Sequence, residues 1–287
     1  MLDLTKADKL PQDKQYFNVS VLWIPWYKWL IRLLYYLRVP HELATIASIT
    51  SGFFSAYLIL NERLILSALF FHLKDLFDAC DGSLARLTGR GHLIGRYLDS
   101  VGDFFAIGSV IVSISIVSAR NGSDMYLLFG AFAFFSVFIQ CSFFNYYMIG
   151  YVRSVSESRL LSKQNERNRE VGYDRFKSIP ARAFLRLLRF FYIVIYSWQD
   201  AIAARVDEWL QKRTGNPDGW FEDRLHMSLL SPLCFGTHIF VVILSAIANR
   251  IDYSLIFIAV PMNIYLLFVL IRKGTKRNME RDRVVAP

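Results

Sequence analysis

The sequence predicts an all-α polytopic membrane protein. Six transmembrane helices are expected, with an interfacial helix before the first and an amphipathic insertion between the fourth and fifth. Three observations carry this. The 287 residues are 54% hydrophobic and 16% aromatic, with a mean hydropathy of +0.31, more apolar than soluble domains usually are. Six runs carry few charges and approach the roughly 20 residues that a helix needs to cross a bilayer. The basic residues are also unevenly placed. Stretches 61–63, 119–124 and 249–252 each hold one Arg and no Lys, whereas 82–96, 152–222 and the C-terminal tail hold many. Lys and Arg collect on the cytoplasmic side, which puts both termini and 82–96 there. The chain reads as one domain, 1–287, with a leader and interfacial helix over 1–37 and a cytoplasmic or interfacial insertion over 152–222.

Residues 1–20 form a polar leader of mixed charge, without the pattern of a cleavable signal peptide. In 21–37, Pro25 breaks an apolar run, Lys28 and Arg32 share a helical face, and Trp23, Trp26 and Trp29 suit the headgroup region. This reads as a helix in the membrane interface, the alternative being part of the first span. Pro40 opens span one, 41–60, because a missing N–H costs little at a helix start. After a turn at 61–63, span two runs over 64–80 and carries His72, Lys74 and Asp75. Asp75 either tunes the acidic pocket described below, pairs locally with Lys74, or sits at a solvated helix end. Span three covers 95–118 and span four 125–151, joined by a polar turn whose Asn121-Gly122-Ser123 is a triplet common by chance. Gln140, Asn145, Tyr146 and Tyr147 in span four either satisfy one another between helices or line a cavity.

In the insertion, Arg182, Arg186 and Arg189 recur at i, i+4 and i+7 beside bulky apolar residues. That pattern is a basic amphipathic helix suited to anionic lipid. The following FFYIVIYSW and QDAIAARVDEWLQKR read as two legs of a surface hairpin, closed by the breaker at 215–219. Span five, 225–248, contains His238, read as a packed residue. Span six, 253–271, leads into a basic tail.

The net charge of +9 belongs to the cytoplasmic loops of a membrane protein and implies no nucleic-acid partner. Cys80, Cys141 and Cys234 are scattered, with neither a disulfide framework nor zinc-type spacing.

The stretch from Asp78 to Asp103, DACDGSLARLTGRGHLIGRYLDSVGD, organises the chain. Asp78 and Asp81 share a helical face, as do Asp99 and Asp103. A Gly- and Arg-rich hinge joins the pairs, so the two faces are expected to converge on one pocket. Carboxylates gathered there repel one another, and oxygen ligands suit hard ions such as Mg²⁺ or Mn²⁺. Acids at membrane depth are costly and should face a hydrated cavity.

Asp78-x-x-Asp81-Gly82-x-x-Ala85-Arg86, eight residues, then Gly95-x-x-x-Asp99-x-x-x-Asp103 resembles the signature of the CDP-alcohol phosphotransferase (CDP-alcohol phosphatidyltransferase) family. The resemblance implies a metal-dependent membrane enzyme of phospholipid synthesis. Such an enzyme moves a substituted phosphoryl group from a CDP-alcohol donor to an acceptor hydroxyl and releases CMP. It implies two divalent ions held by Asp78, Asp81, Asp99 and Asp103, with Asp103 also the catalytic base. Gly82, Ala85, Arg86 and Gly95 would bind the CDP diphosphate, Arg86 through bidentate hydrogen bonds. The donor is expected to be CDP-diacylglycerol, with CDP-choline or CDP-ethanolamine and diacylglycerol as the alternative. Membrane lipids are the expected surroundings, and a homodimer is compatible with the reading. The active site would face the cytoplasm, where CDP-linked donors are found. The chain departs from the family at Pro40-His41, where many members have Pro-Asn. A reading from another class, a cation or proton transporter with an intramembrane acidic site, explains the acids but neither Gly82 nor Ala85.

Overall fold

The computed structural model describes residues 4–8, 10–23, 25–89, 93–155, 178–214 and 221–285, which form helices and turns with no strand among them. Short 3-10 turns at Leu4–Ala7, Gln12–Lys14 and Val19–Trp23 lead into α1 (Tyr27–Tyr36), α2 (His41–Leu60) and α3 (Leu64–Thr88). Then come α4 (Leu93–Asn121), α5 (Met125–Val155) and α6 (Ile179–Thr214). The chain ends with α7 (Arg224–Leu230), α8 (Phe235–Ile247), α9 (Asp252–Ala259) and α10 (Pro261–Val285). Of the features anticipated from sequence, residues 90–92 of the hinge, the polar stretch 156–177 and the whole 215–219 breaker lie outside the described residues.

Four segments are long and apolar enough to cross a membrane: His41–Leu60, Leu93–Asn121, Met125–Val155 and Asp252–Lys273. A fifth is present if Arg224–Leu233 and Phe235–Ile247, bent by 42° at their junction, count as one. The 25-residue α3 is long enough as well. Its charges at Lys74, Asp75, Asp78 and Asp81 place it outside that purely compositional class.

The packing centres on α2, the common neighbour of α3 and α4. Its buried face is made of small residues, Ser48, Ser51, Gly52, Ser55 and Ala56, which let helix backbones approach closely. A Cβ on Gly52 would stand 2.8 Å from the Ala106 Cβ and 3.3 Å from the Lys74 Cγ. Buried hydroxyls fasten the α2–α3 seam: Ser48 Oγ donates to the Lys74 carbonyl at 3.0 Å, and Ser55 Oγ to the Ser67 carbonyl at 3.0 Å. With α2 between them, α3 and α4 do not pack directly along their length, and their acidic side chains meet across the space left at one end. Gly89 ends α3 in the left-handed conformation, φ 64°, which glycine adopts without steric cost.

The three turns poor in basic residues gather at the opposite end. Glu62, Ser118, Asn121, Tyr126, Arg250 and Asp252 line one cavity of about 410 Å³ there. Tyr126 donates to Asp252 Oδ2 at 3.0 Å. In α8, His238 is buried and packed, bonding to Gln140 Oε1 at 2.7 Å and to the Cys234 carbonyl at 2.8 Å.

The expected surface hairpin is not formed. Residues 179–214 make one continuous helix of 36 residues, about 54 Å long. The polar pair Gln199-Asp200, which looks in the sequence like a break between two legs, points inward and is buried. Gln199 Oε1 accepts from Ser142 Oγ at 2.9 Å, so the polarity serves a buried contact. Tyr196 donates to the Ser100 carbonyl at 2.6 Å and Tyr147 to Asp207 Oδ1 at 2.6 Å. These contacts involve the first part of α4 and the last part of α5, so α6 lies across the acidic end of the bundle. Its buried stripe, Leu185, Leu188, Tyr192, Ile195 and Tyr196, packs with Tyr97 and Val101 of α4. The opposite stripe, Phe184, Leu187, Phe190, Val194 and Trp198, is exposed.

Candidate active site

Helical spacing brings three of the four acids together, as the sequence pattern anticipates, and leaves Asp81 beside them. Ligand oxygens of Asp78, Asp99 and Asp103 all lie within 4.8 Å of one another. Asp103 is buried, while Asp78 and Asp99 are half-buried and open to the space between the helices. Asp81, also buried, accepts a hydrogen bond from Thr45 Oγ1 of α2 at 2.8 Å through its Oδ2. It stands within electrostatic reach of Asp78 and Asp103 but outside the three-carboxylate group.

Lys74 is the residue whose place in the site the sequence reading misses. It is wholly buried, with Nζ 2.5 Å from Asp103 Oδ1 and 3.8 Å from Asp78 Oδ1. A signal is present in the sequence: a cation within an apolar run, one helical turn before Asp78, shares its face. Thr45 likewise escapes the sequence reading, because α2 carries no motif of its own.

The glycines of the motif make room for specific neighbours. A Cβ on Gly95 would meet the His41 Nε2 at 3.2 Å, so Gly95 lets the first residue of α2 lie against α4. His41 thus occupies the point where the sequence departs from Pro-Asn. At Gly82 a Cβ would have one close neighbour, the Arg86 Nη1 at 3.4 Å. Ala85, on the Asp78–Asp81 side of α3, is half-buried.

Arg86 is exposed, yet its guanidinium is anchored on one side. Nε donates to the Ala7 carbonyl at 2.6 Å and Nη2 to Ser83 Oγ at 2.9 Å. The 3-10 turn Leu4–Ala7 therefore orients the Arg86 side chain, and Tyr27 of α1 hydrogen-bonds with Ser83 beside it. Ala7, Ile31, Ala44, Cys80 and Leu84 form a small apolar cluster under this arrangement. The leader, read from sequence only as a polar segment of mixed charge, reaches the site through Ala7.

α6 braces α4 from the other side. The Tyr196 bond to the Ser100 carbonyl falls between Asp99 and Asp103 in sequence. The Arg96 guanidinium lies 5.9 Å from the ring centroids of both Tyr97 and Tyr192. Arg182 and Arg189 are half-buried and Arg186 is exposed, all on the flank of α6 between its buried and exposed stripes.

The donor set suits a hard divalent cation. Three carboxylates converge with no thiolate or imidazole in the group, and carboxylate oxygens are the ligands that Mg²⁺ and Mn²⁺ prefer. The model for the family described as CDP-alcohol phosphatidyltransferase matches residues 37–210. The match begins just before α2 and ends within α6, enclosing the whole acidic cluster. No curated protein and no solved structure matches the chain.

Proposed function

The chain belongs to the CDP-alcohol phosphatidyltransferase family, and from that premise we propose that it is a divalent-metal-dependent enzyme with CDP-diacylglycerol as its donor. The family supports phosphotransfer from a CDP-alcohol to a hydroxyl acceptor in lipid synthesis. The observation that carries the proposal is the convergence of Asp78, Asp99 and Asp103 within 4.8 Å.

In this reading Asp78, Asp99 and Asp103 hold the metal, with Asp81 completing the acidic set from its bond to Thr45. A divalent ion bound there supplies Lewis acidity toward the diphosphate and offsets its charge. Gly82 leaves the nucleotide a close approach to α3, and Ala85 and Gly95 keep the facing surfaces narrow. Arg86, held by Ala7 and Ser83, presents the rest of its guanidinium to phosphate oxygens. Asp103 is the base that takes the acceptor's proton. Its Oδ1 accepts from Lys74, which fixes the orientation of the carboxylate.

Six spans follow when α3 and the bent α7–α8 pair are counted with the four apolar segments. The acidic end then faces the cytoplasm, with α1 and α6 lying in the interface, and 1–287 is one domain. In a cysteine-free background, an impermeant thiol reagent applied to intact cells is expected to label a cysteine at Gly122 and to miss one at Thr88. Efficient labelling at Thr88 would reverse the orientation.

Arg182, Arg186 and Arg189 contact anionic lipid in this arrangement, each contributing about 1 kcal/mol. Replacing all three with Gln is expected to weaken binding of a peptide spanning 178–198 to anionic vesicles and to leave binding to neutral vesicles unchanged. Equal loss on both would assign the association to apolar packing.

The donor is tested by offering purified protein labelled CDP-diacylglycerol, CDP-choline and CDP-ethanolamine against a panel of acceptors, with CMP release as the readout. Turnover of CDP-diacylglycerol alone supports the proposal. Turnover of only the aminoalcohol donors with diacylglycerol would replace it.

A further inference from the structure

Lys74 is the cation that the structure pairs with the acidic cluster, and its position is built. Its carbonyl is held by Ser48, and its Cγ lies 3.3 Å from where a Cβ on Gly52 would stand. The missing side chain at Gly52 therefore leaves the channel through which the Lys74 stem runs. The stem ends with an ammonium between two helices, 2.5 Å from Asp103 Oδ1 and 3.8 Å from Asp78 Oδ1, with no exposure to solvent. Those two carboxylates are two of the three that converge. An ammonium has only donors to offer, so it engages the same carboxylates that a metal would use. A buried lysine within a membrane helix is costly unless paired, and here its partners are the cluster itself.

We propose that Lys74 is a resident cation of the acidic cluster, sharing Asp78 and Asp103 with the divalent ion and thereby holding the site's affinity for that ion down. The inference rests on the reading of the cluster as a metal site. It has two physical parts. The ammonium occupies a carboxylate oxygen that could otherwise bind the ion, and its positive charge repels the ion across a few ångströms of low-dielectric interior. It also lowers the repulsion among the carboxylates before metal arrives, so the cluster stays assembled when empty. The result is an exchangeable ion in place of a tightly trapped one.

The test is equilibrium Mn²⁺ binding to purified, chelator-stripped protein without donor, followed through the electron paramagnetic resonance signal of free Mn²⁺. Lys74→Met removes the charge and keeps most of the stem. It is expected to bind Mn²⁺ about 10-fold to 100-fold more tightly than the wild-type protein, the size of effect that a neighbouring charge exerts on ionisation. Lys74→Arg keeps the charge and is expected to retain wild-type affinity within about threefold, a small change on that same scale. A lysine that only stabilised the fold would give weaker binding on removal. Unchanged or weaker binding by Lys74→Met would thus overturn the proposal. Where Lys74→Met does not purify as a folded protein, Lys74→Gln takes its place: tighter binding is again expected, and unchanged or weaker binding again overturns the proposal. Absence of Mn²⁺ binding by the wild-type protein would overturn the metal-site reading and this inference with it, an outcome distinct from wild-type binding that Lys74→Met fails to tighten.

Discussion

Asp103→Asn is expected to lower turnover by about 10²–10⁴-fold, the range for loss of a general base, while donor binding largely survives. Asn keeps the size of Asp and one oxygen but accepts no proton at neutral pH. The structure adds a complication. Asp103 is the nearest partner of the buried Lys74, and breaking a buried pair by removing one side costs about 3–5 kcal/mol. The variant should therefore also melt earlier, and lost activity alone would not separate chemistry from folding. A double variant, Asp103→Asn with Lys74→Met, removes both charges. It is expected to recover part of that stability, since the buried ammonium is no longer left without its nearest partner, and to remain inactive. Near-normal turnover in Asp103→Asn, or full recovery with added metal, would make Asp103 a ligand and not the base.

Asp78→Asn and Asp99→Asn are expected to fail differently. Each loses a carboxylate from the converging group, so metal affinity falls, and metal-dependent donor binding with it. Loss of even a partner that merely orients a metal ligand typically costs about 10–100-fold in metal affinity, and a ligand should cost at least that. Activity should return in part as Mg²⁺ or Mn²⁺ is raised, a rescue that Asp103→Asn should lack. Metal titrations of activity and of donor binding on the three variants separate the roles. Loss of activity that no metal concentration relieves, with metal affinity unchanged, would remove Asp78 and Asp99 from the ligand set.

The acids are legible in the sequence because their spacing is a local property of single helices. Three or four residues set a face, and a Gly-rich hinge sets a reversal, so convergence can be read before any packing is known. The helix starts are legible for the same reason: Pro40 precedes α2, which begins at His41, and α5 begins at Met125. What escapes the sequence depends on neighbours distant in the chain. Gln199 and Asp200 look like the end of a surface leg, and only Ser142 reveals that the polarity at Gln199 faces inward. Arg86 looks free for a diphosphate, and only the fold brings Ala7 from 79 residues away to hold it. Lys74 is visible, but beside Asp75 it reads as half of a local pair. In the helix, adjacent residues diverge by about 100°, and Lys74 turns to Asp103 on another helix instead.

Metal-dependent transfer from a CDP-alcohol at this acidic cluster is decided by CMP release from chelator-stripped protein reconstituted in vesicles with CDP-diacylglycerol and an acceptor panel. Release is expected only when both a divalent ion and an acceptor are present, with one new phospholipid formed per CMP. A protein that binds Mn²⁺ yet releases no CMP from any CDP-alcohol, while passing cations or protons across the same vesicles, would be a transporter with an acidic site and not a transferase.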